Sequence, residues 1–251
     1  MTHSSYYATD VDGKRYQRTI LIITALAFVQ LALATLQVLP FWVMVITMPI
    51  LIPRWMLAVH ELFHVRKPQQ VNFITRLLPM AFTPFVLGYS EHQEIHSRHH
   101  KFMCTENDPE MFQLRGGYIS GLFNAMTMPE QAPVRWIAKN GIDRQLAITL
   151  AVNAAIFFTV VYLAGWNFLW YWIPTRISYG FSSFAFFYLL HRRGKDFGVY
   201  SLQLPVVIAK LYAVLFGNEA LQVTCNHDVH HGNPRIAGYA LAMTSQQRHK
   251  Q

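Results

Sequence analysis

Two stretches of this chain contain no charged residue, Thr19–Pro53 and Gln145–Thr175. A helix that crosses a bilayer needs about 20 apolar residues, so each stretch holds most of a helical hairpin. Pro40 breaks the first near its middle and predicts helices over Thr19–Leu39 and Phe41–Val59. Gly165 and Asn167 mark a turn in the second and predict helices over Gln145–Ala164 and Phe168–Leu190. Trp166, Trp170, Tyr171 and Trp172 have the placing of an aromatic belt at one interface. Charged residues are only 14% of the chain, against about a quarter in soluble domains. The expected fold is therefore an all-α integral membrane protein with four transmembrane helices in two hairpins.

The rest of the chain forms a helical cap on one side of those spans. Residues 1–251 are read as one membrane-embedded domain. Residues 1–18 are a flexible polar tail, and Asp10, Asp12, Lys14, Arg15 and Arg18 do not suit a cleavable signal peptide. The first hairpin is 19–59, a cytoplasmic region is 60–144, the second hairpin is 145–190, and 191–251 is cytoplasmic again. Leu77–Tyr89 is apolar but too short to span, and Pro79 and Pro84 favour an interfacial or re-entrant piece. Val199–Gly217 is apolar but interrupted by Lys210, and is expected to lie on the membrane surface. Arg176 and Pro174 sit awkwardly inside the fourth helix, because an intramembrane arginine needs a partner or a wet interior.

The turns near Pro40 and Gly165–Asn167 carry no Lys or Arg, and nearly all basic residues fall on the other side. The positive-inside rule makes that side cytoplasmic, with both termini there. The net charge of +8 then reflects contact with an anionic leaflet, and no nucleic-acid partner is expected. Two cysteines give no disulfide framework.

Three histidine clusters fall on this same side. His60 and His64 are four apart; His96 precedes His99 and His100, and His227 precedes His230 and His231, by three and four. Residues at these spacings share one face of a helix, and imidazole is a common ligand for iron, zinc and copper. His191, ending the fourth helix at the depth of His60, is a ninth candidate ligand. His92 is read as outside the set, and His3 and His249 as solvated tail residues. Glu61, Glu94, Asp108 and Asp228 could orient ligands or be ordinary charges, and Asn226 could do so or cap a helix.

His96-Ser97-Arg98-His99-His100, continuing through Thr105 to Asn107-Asp108-Pro109-Glu110, resembles the central box of membrane fatty acid desaturases. Asn226-His227-Asp228-Val229-His230-His231-Gly232-Asn233-Pro234 resembles their last box, and His60–His64 their first. His191 matches a further ligand histidine that some members place at the end of the fourth helix. Phe187 stands one turn earlier, where some members have an asparagine, so that ligand is not carried over. The resemblance spans roughly Pro53–Tyr239. It implies two non-haem iron ions held by His60, His64, His96, His99, His100, His191, His227, His230 and His231, with O2 as co-substrate. It also implies oxidation of an unactivated C–H bond of a lipid, most directly fatty acyl desaturation. The electrons would come from a separate donor, such as ferredoxin or a cytochrome and its reductase.

Asn107–Phe112 followed by Gly116-Gly117 also resembles carotenoid hydroxylases of the same superfamily, so carotenoid hydroxylation or ketolation and lipid hydroxylation stay open. His60-Glu61-Leu62-Phe63-His64 is also a literal HExxH, the signature of a zinc metalloprotease. A metal transporter is a third possibility, but it would place its ligands at mid-membrane.

Overall fold

Helix formation begins earlier than the apolar run does. The computed structural model describes residues 6–80 and 82–248, so His3 and His249 lie outside the described residues. The first helix, α1, is Asp10–Thr35 and takes in half of the expected tail. Thr9 and Asp12 form a reciprocal capping box at its start. Arg15 then pairs with Glu219 at 2.9 Å, and the Tyr16 hydroxyl donates to the same carboxylate. Local capping plus a partner some 200 residues away orders residues whose composition reads as tail.

The second helix, α2, is Trp42–Val65, so it carries His60 and His64 in its last turns instead of ending before them. A short α3, Phe73–Leu77, and the polar α4, Tyr89–Phe102, follow. Then come α5, Tyr118–Met126, and α6, Met128–Asn140. α7, Arg144–Ala164, starts on Asp143, whose side chain accepts from the Leu146 amide at 2.8 Å. It ends at Gly165, whose φ of +54° is the left-handed geometry glycine adopts freely. α8 is Phe168–Ser183. Phe157 and Phe168 rings meet at 5.6 Å, which eleven residues along one straight helix could not do, so α7 and α8 form a hairpin.

Among the described residues, three stretches are long and apolar enough to cross a membrane: α1, α2 and the combined Arg144–His191. Among the described residues the regular structure is all helical apart from a hairpin of two-residue strands, Arg192–Arg193 with Asp196–Phe197, and one isolated bridge. α1 packs on α2, and its buried apolar residues Tyr16, Ile20, Ile23, Ala27, Leu31 and Ala34 recur at spacings of three and four. Its opposite face exposes Ile22, Leu26 and Val29. A helix apolar on both faces suits a core on one side and lipid on the other. The two hairpin turns lie at the same end of the molecule, since Phe41 stacks on Trp170 at 5.8 Å.

The segment between α3 and α4 is non-helical, yet Leu78, Met80, Phe82, Val86 and Leu87 are buried. Its carbonyls have partners supplied by the second hairpin. Asn153 donates to Leu77 O at 2.9 Å and Val86 O at 3.3 Å, and Trp172 Nε1 donates to Phe82 O at 2.8 Å. The Tyr171 hydroxyl donates to Met80 O. Irregular backbone persists among apolar helices only when its polar groups are met in this way.

Arg176 is also accommodated. Its guanidinium reaches Glu130 at 2.8 Å and Met126 O at 2.6 Å, so the ends of α5 and α6 lie against α8. A Cβ on Gly180 would collide with Met126, which is why this approach can be so close.

After α8 the chain takes one π-helical turn, Phe184–Tyr188, and a last α turn, α9, Leu189–His191. α10, Val206–Phe216, exposes Val206, Val207, Leu211 and Val214. α11, Asn218–Cys225, α12, His227–Gly232, and α13, Leu241–Arg248, complete the chain.

Candidate metal centre

Four elements far apart in sequence end at one place. α2 brings His60 and His64, α4 brings His96, His99 and His100, α9 brings His191, and α12 brings His227, His230 and His231. Within each helix the three- and four-residue spacing turns the rings to one side. The π-turn just before His191 adds a residue to the helix repeat and so resets the direction in which His191 leaves α9.

The rings form two adjoining groups. His60, His64, His96, His100 and His230 each offer a nitrogen within 4.8 Å of the others, as do His99, His191 and His231. In the first group Nε2 of His96 lies 3.0 Å from that of His64 and 3.1 Å from that of His100. In the second, Nε2 of His191 lies 3.2 Å from that of His99 and 3.1 Å from that of His231. His227 joins the second group, with its Nε2 3.4 Å from that of His191. The groups touch where the His100 and His231 rings stack at 4.1 Å. All nine residues expected from the sequence therefore converge.

The chemistry of this cluster fits a cation. Neutral imidazole carries one N–H, so several Nε2 atoms converging at about 3 Å must present lone pairs to one another. Both nitrogens of His230, Nε2 of His60 and Nδ1 of His100, His227 and His231 are buried without a hydrogen-bond partner among the described residues. Burial, reinforced by the neighbouring imidazoles, holds His96, His100, His227, His230 and His231 below the usual histidine range, His100 at about 2. They are neutral at pH 7 and available as ligands.

Three rings are oriented from behind. His99 Nδ1 donates to Asp108 Oδ2 at 2.9 Å, His191 Nδ1 to Phe187 O at 2.8 Å, and His60 Nδ1 to Glu61 Oε1 at 2.9 Å. Each bond fixes the tautomer that leaves Nε2 free to face the cluster. Burial disfavours a charged His99 more than any single neighbour favours it, but the Asp108 bond together with the charges of Glu110 and Asp108 raises His99 above its usual range. Asp108 is held in turn by the amides of Cys104 at 3.0 Å and Glu110 at 2.9 Å.

Spacing alone does not distinguish Asp108 and Glu61 from ordinary charges; only their contacts do. The Phe187 carbonyl carries no side-chain signal at all. Glu94 instead pairs with Arg98 at 3.9 Å, Asp228 with Ser201, and the Asn226 side chain donates back to Gln222. His92 is in neither group, and burial lowers it to about 4. A metalloprotease glutamate must reach metal-bound water, whereas Glu61 sits behind His60 on its Nδ1 side.

Above the cluster lies a cavity of about 490 Å³ with mainly apolar walls. It runs between α2 (Pro53, Met56) and α8 (Ile177, Phe181), and includes His60, His96, His99 and His191. Tyr212 and Phe216 of α10 also line it, and Arg54 of α2 binds the carbonyls of Val214 and Leu215 at the end of α10.

Neither the curated proteins nor the solved structures compared with the chain gave a match. The fatty acid desaturase family does match, over residues 34–250, which takes in all four histidine-bearing elements. With that match and nine histidines converging under an apolar cavity, the chain belongs to the fatty acid desaturase family.

Proposed function

We propose that this protein is a membrane-bound, O2-dependent oxidoreductase that oxidises an unactivated C–H bond of a lipid at two histidine-held iron ions. The observation that carries the reading is the two adjoining histidine groups at the inner wall of an apolar cavity. His60, His64, His96, His100 and His230 would hold one ion, and His99, His191, His227 and His231 the other. Bound there, iron supplies the activation of O2 that removes hydrogen from carbon. The chain's own residues do the rest. Asp108, Glu61 and the Phe187 carbonyl keep the Nε2 atoms aimed inward. The apolar walls hold a hydrocarbon chain and exclude water from the oxidant.

Desaturation of a fatty acyl chain is the reaction we favour. Carotenoid hydroxylation or ketolation uses the same site and is the second reading, supported by Asn107–Phe112 with Gly116-Gly117. Four spans, with both termini and the histidines on the cytoplasmic side, suit the common end of the two hairpin turns and their lack of basic residues. A separate electron donor, ferredoxin or a cytochrome and its reductase, completes the reaction.

Lipid and pigment profiling of cells expressing the chain tests the reading. A new double bond, hydroxyl or keto group is expected, and is expected to be lost in a His99→Ala control. Identical profiles from both, with both proteins in the membrane, would contradict it.

A further inference from the structure

The mainly apolar cavity wall carries a cluster of three buried polar side chains beside the second histidine group. There Gln113 Nε2 donates to Glu110 Oε1 at 3.1 Å, and Ser183 Oγ donates to Gln113 Oε1 at 3.2 Å. All three line the cavity and are at most 8% exposed. The Glu110 amide bonds Asp108, the carboxylate that holds His99, so the trio is two bonds from a candidate ligand.

The trio is under-bonded. A carboxylate offers about four acceptor positions and a side-chain amide two N–H donors. Among the described residues, the Glu110 carboxylate accepts only the bond from Gln113, and Gln113 donates only that one. The remaining capacity borders a space that otherwise suits hydrocarbon. Two other polar groups on the wall are matched: Ser178 donates to Pro174 O, and Tyr212 bonds Thr224 at 3.1 Å. If a plain hydrocarbon end filled this part of the cavity, it would displace water and leave Glu110 buried with its bonds unmade, a costly arrangement.

We propose that Glu110, Gln113 and Ser183 form a polar subsite for a hydroxyl or carbonyl oxygen at the inner end of an otherwise apolar substrate. A hydroxyl donates to Glu110 and accepts from Gln113, while a carbonyl accepts from Gln113. The inference rests on the lipid-oxidising reading and narrows it: the carbon oxidised lies near one that already bears oxygen. A site built to bond an oxygen rejects the analogue lacking it, so the subsite sets specificity.

The test is binding, which does not depend on turnover. The full chain in detergent is titrated with a conjugated C20 polyene alcohol and with its deoxy hydrocarbon, and quenching of tryptophan emission is read. Trp55 lines the cavity and reports occupancy. The ratio of the two affinities in wild type is expected to exceed that in Glu110→Leu by about tenfold, the effect of one hydrogen bond. Ser183→Ala and Glu110→Gln are expected to lower it by smaller factors. These two decide the matter if Glu110→Leu does not fold. The proposal is overturned if the ratio is the same in wild type and in every folded variant. Iron in the same preparation separates the failures. Two irons with an unchanged ratio removes the subsite alone, and the expected ratio in a chain that takes up no iron removes the oxidation reading alone.

Discussion

The two histidine groups use one residue type and lie side by side, yet they are held differently. In the second group His99 and His191 are each 1% exposed, and each has its Nδ1 tied to a fixed acceptor. In the first, Glu61 ties His60, but among the described residues neither nitrogen of His230 has a hydrogen-bond partner, nor does Nδ1 of His100. The fold thus ties two of the four rings of the second group, His227 and His231 having no partner at Nδ1 among the described residues, whereas in the first group the one ring it ties in this way is His60. Pre-set ligands lower the cost of binding, and loose ones must be ordered by the ion itself.

The largest expected effect tests whether both groups are needed. His99→Ala in the second group and His230→Ala in the first should each abolish product formation while membrane insertion, read as protein in the membrane fraction, stays normal. Full activity in either would remove that group from the reaction.

Next come the carboxylates behind the rings. Asp108→Asn should weaken metal retention against a chelator by about 10–100-fold. Glu61→Gln should do less, because Asp108 also anchors the Cys104 and Glu110 amides and Glu61 anchors one ring. Glu61→Gln should keep measurable turnover; a complete loss would favour the protease chemistry of an HExxH site.

The smallest effect is on stability against pH in the metal-free protein, and the groups act with opposite sign. His100 is depressed to about 2 from 6.5, so its contribution is intact above pH 6.5 and is lost as pH falls below it. His99 is raised above 6.5 by Asp108, so its contribution is intact below 6.5 and is lost as pH rises through its folded value. Melting temperature should therefore fall on acidification below pH 6.5. The fall should be shallower in His100→Ala and of unchanged slope in His99→Ala, whose effect is a smaller loss of stability as pH rises above 6.5.

The sequence shows the ligands more readily than their support. Spacings of three and four residues bring out His96, His99 and His100 because one helix carries all of them. The charge-free runs bring out the hairpins because lipid tolerates little else. Asp108, nine residues from His99, gives no such pattern, since the chain turns back through a left-handed Cys104 to deliver it. Arg176 reads as misplaced until Glu130, from another helix, reaches it. The early start of α1 depends on Glu219, and the angle of His191 on a π-turn that no residue pattern announces. Arg176 and the start of α1 escape a reading of the sequence because their partners lie far along the chain, and Asp108 and His191 because a local backbone irregularity sets their direction.

Metal content and coordination of the purified full-length chain, by elemental analysis and X-ray absorption, test the central claim most directly. Protein from iron-replete cells should hold two irons per chain with nitrogen-rich first coordination spheres. One zinc and no iron would contradict the account.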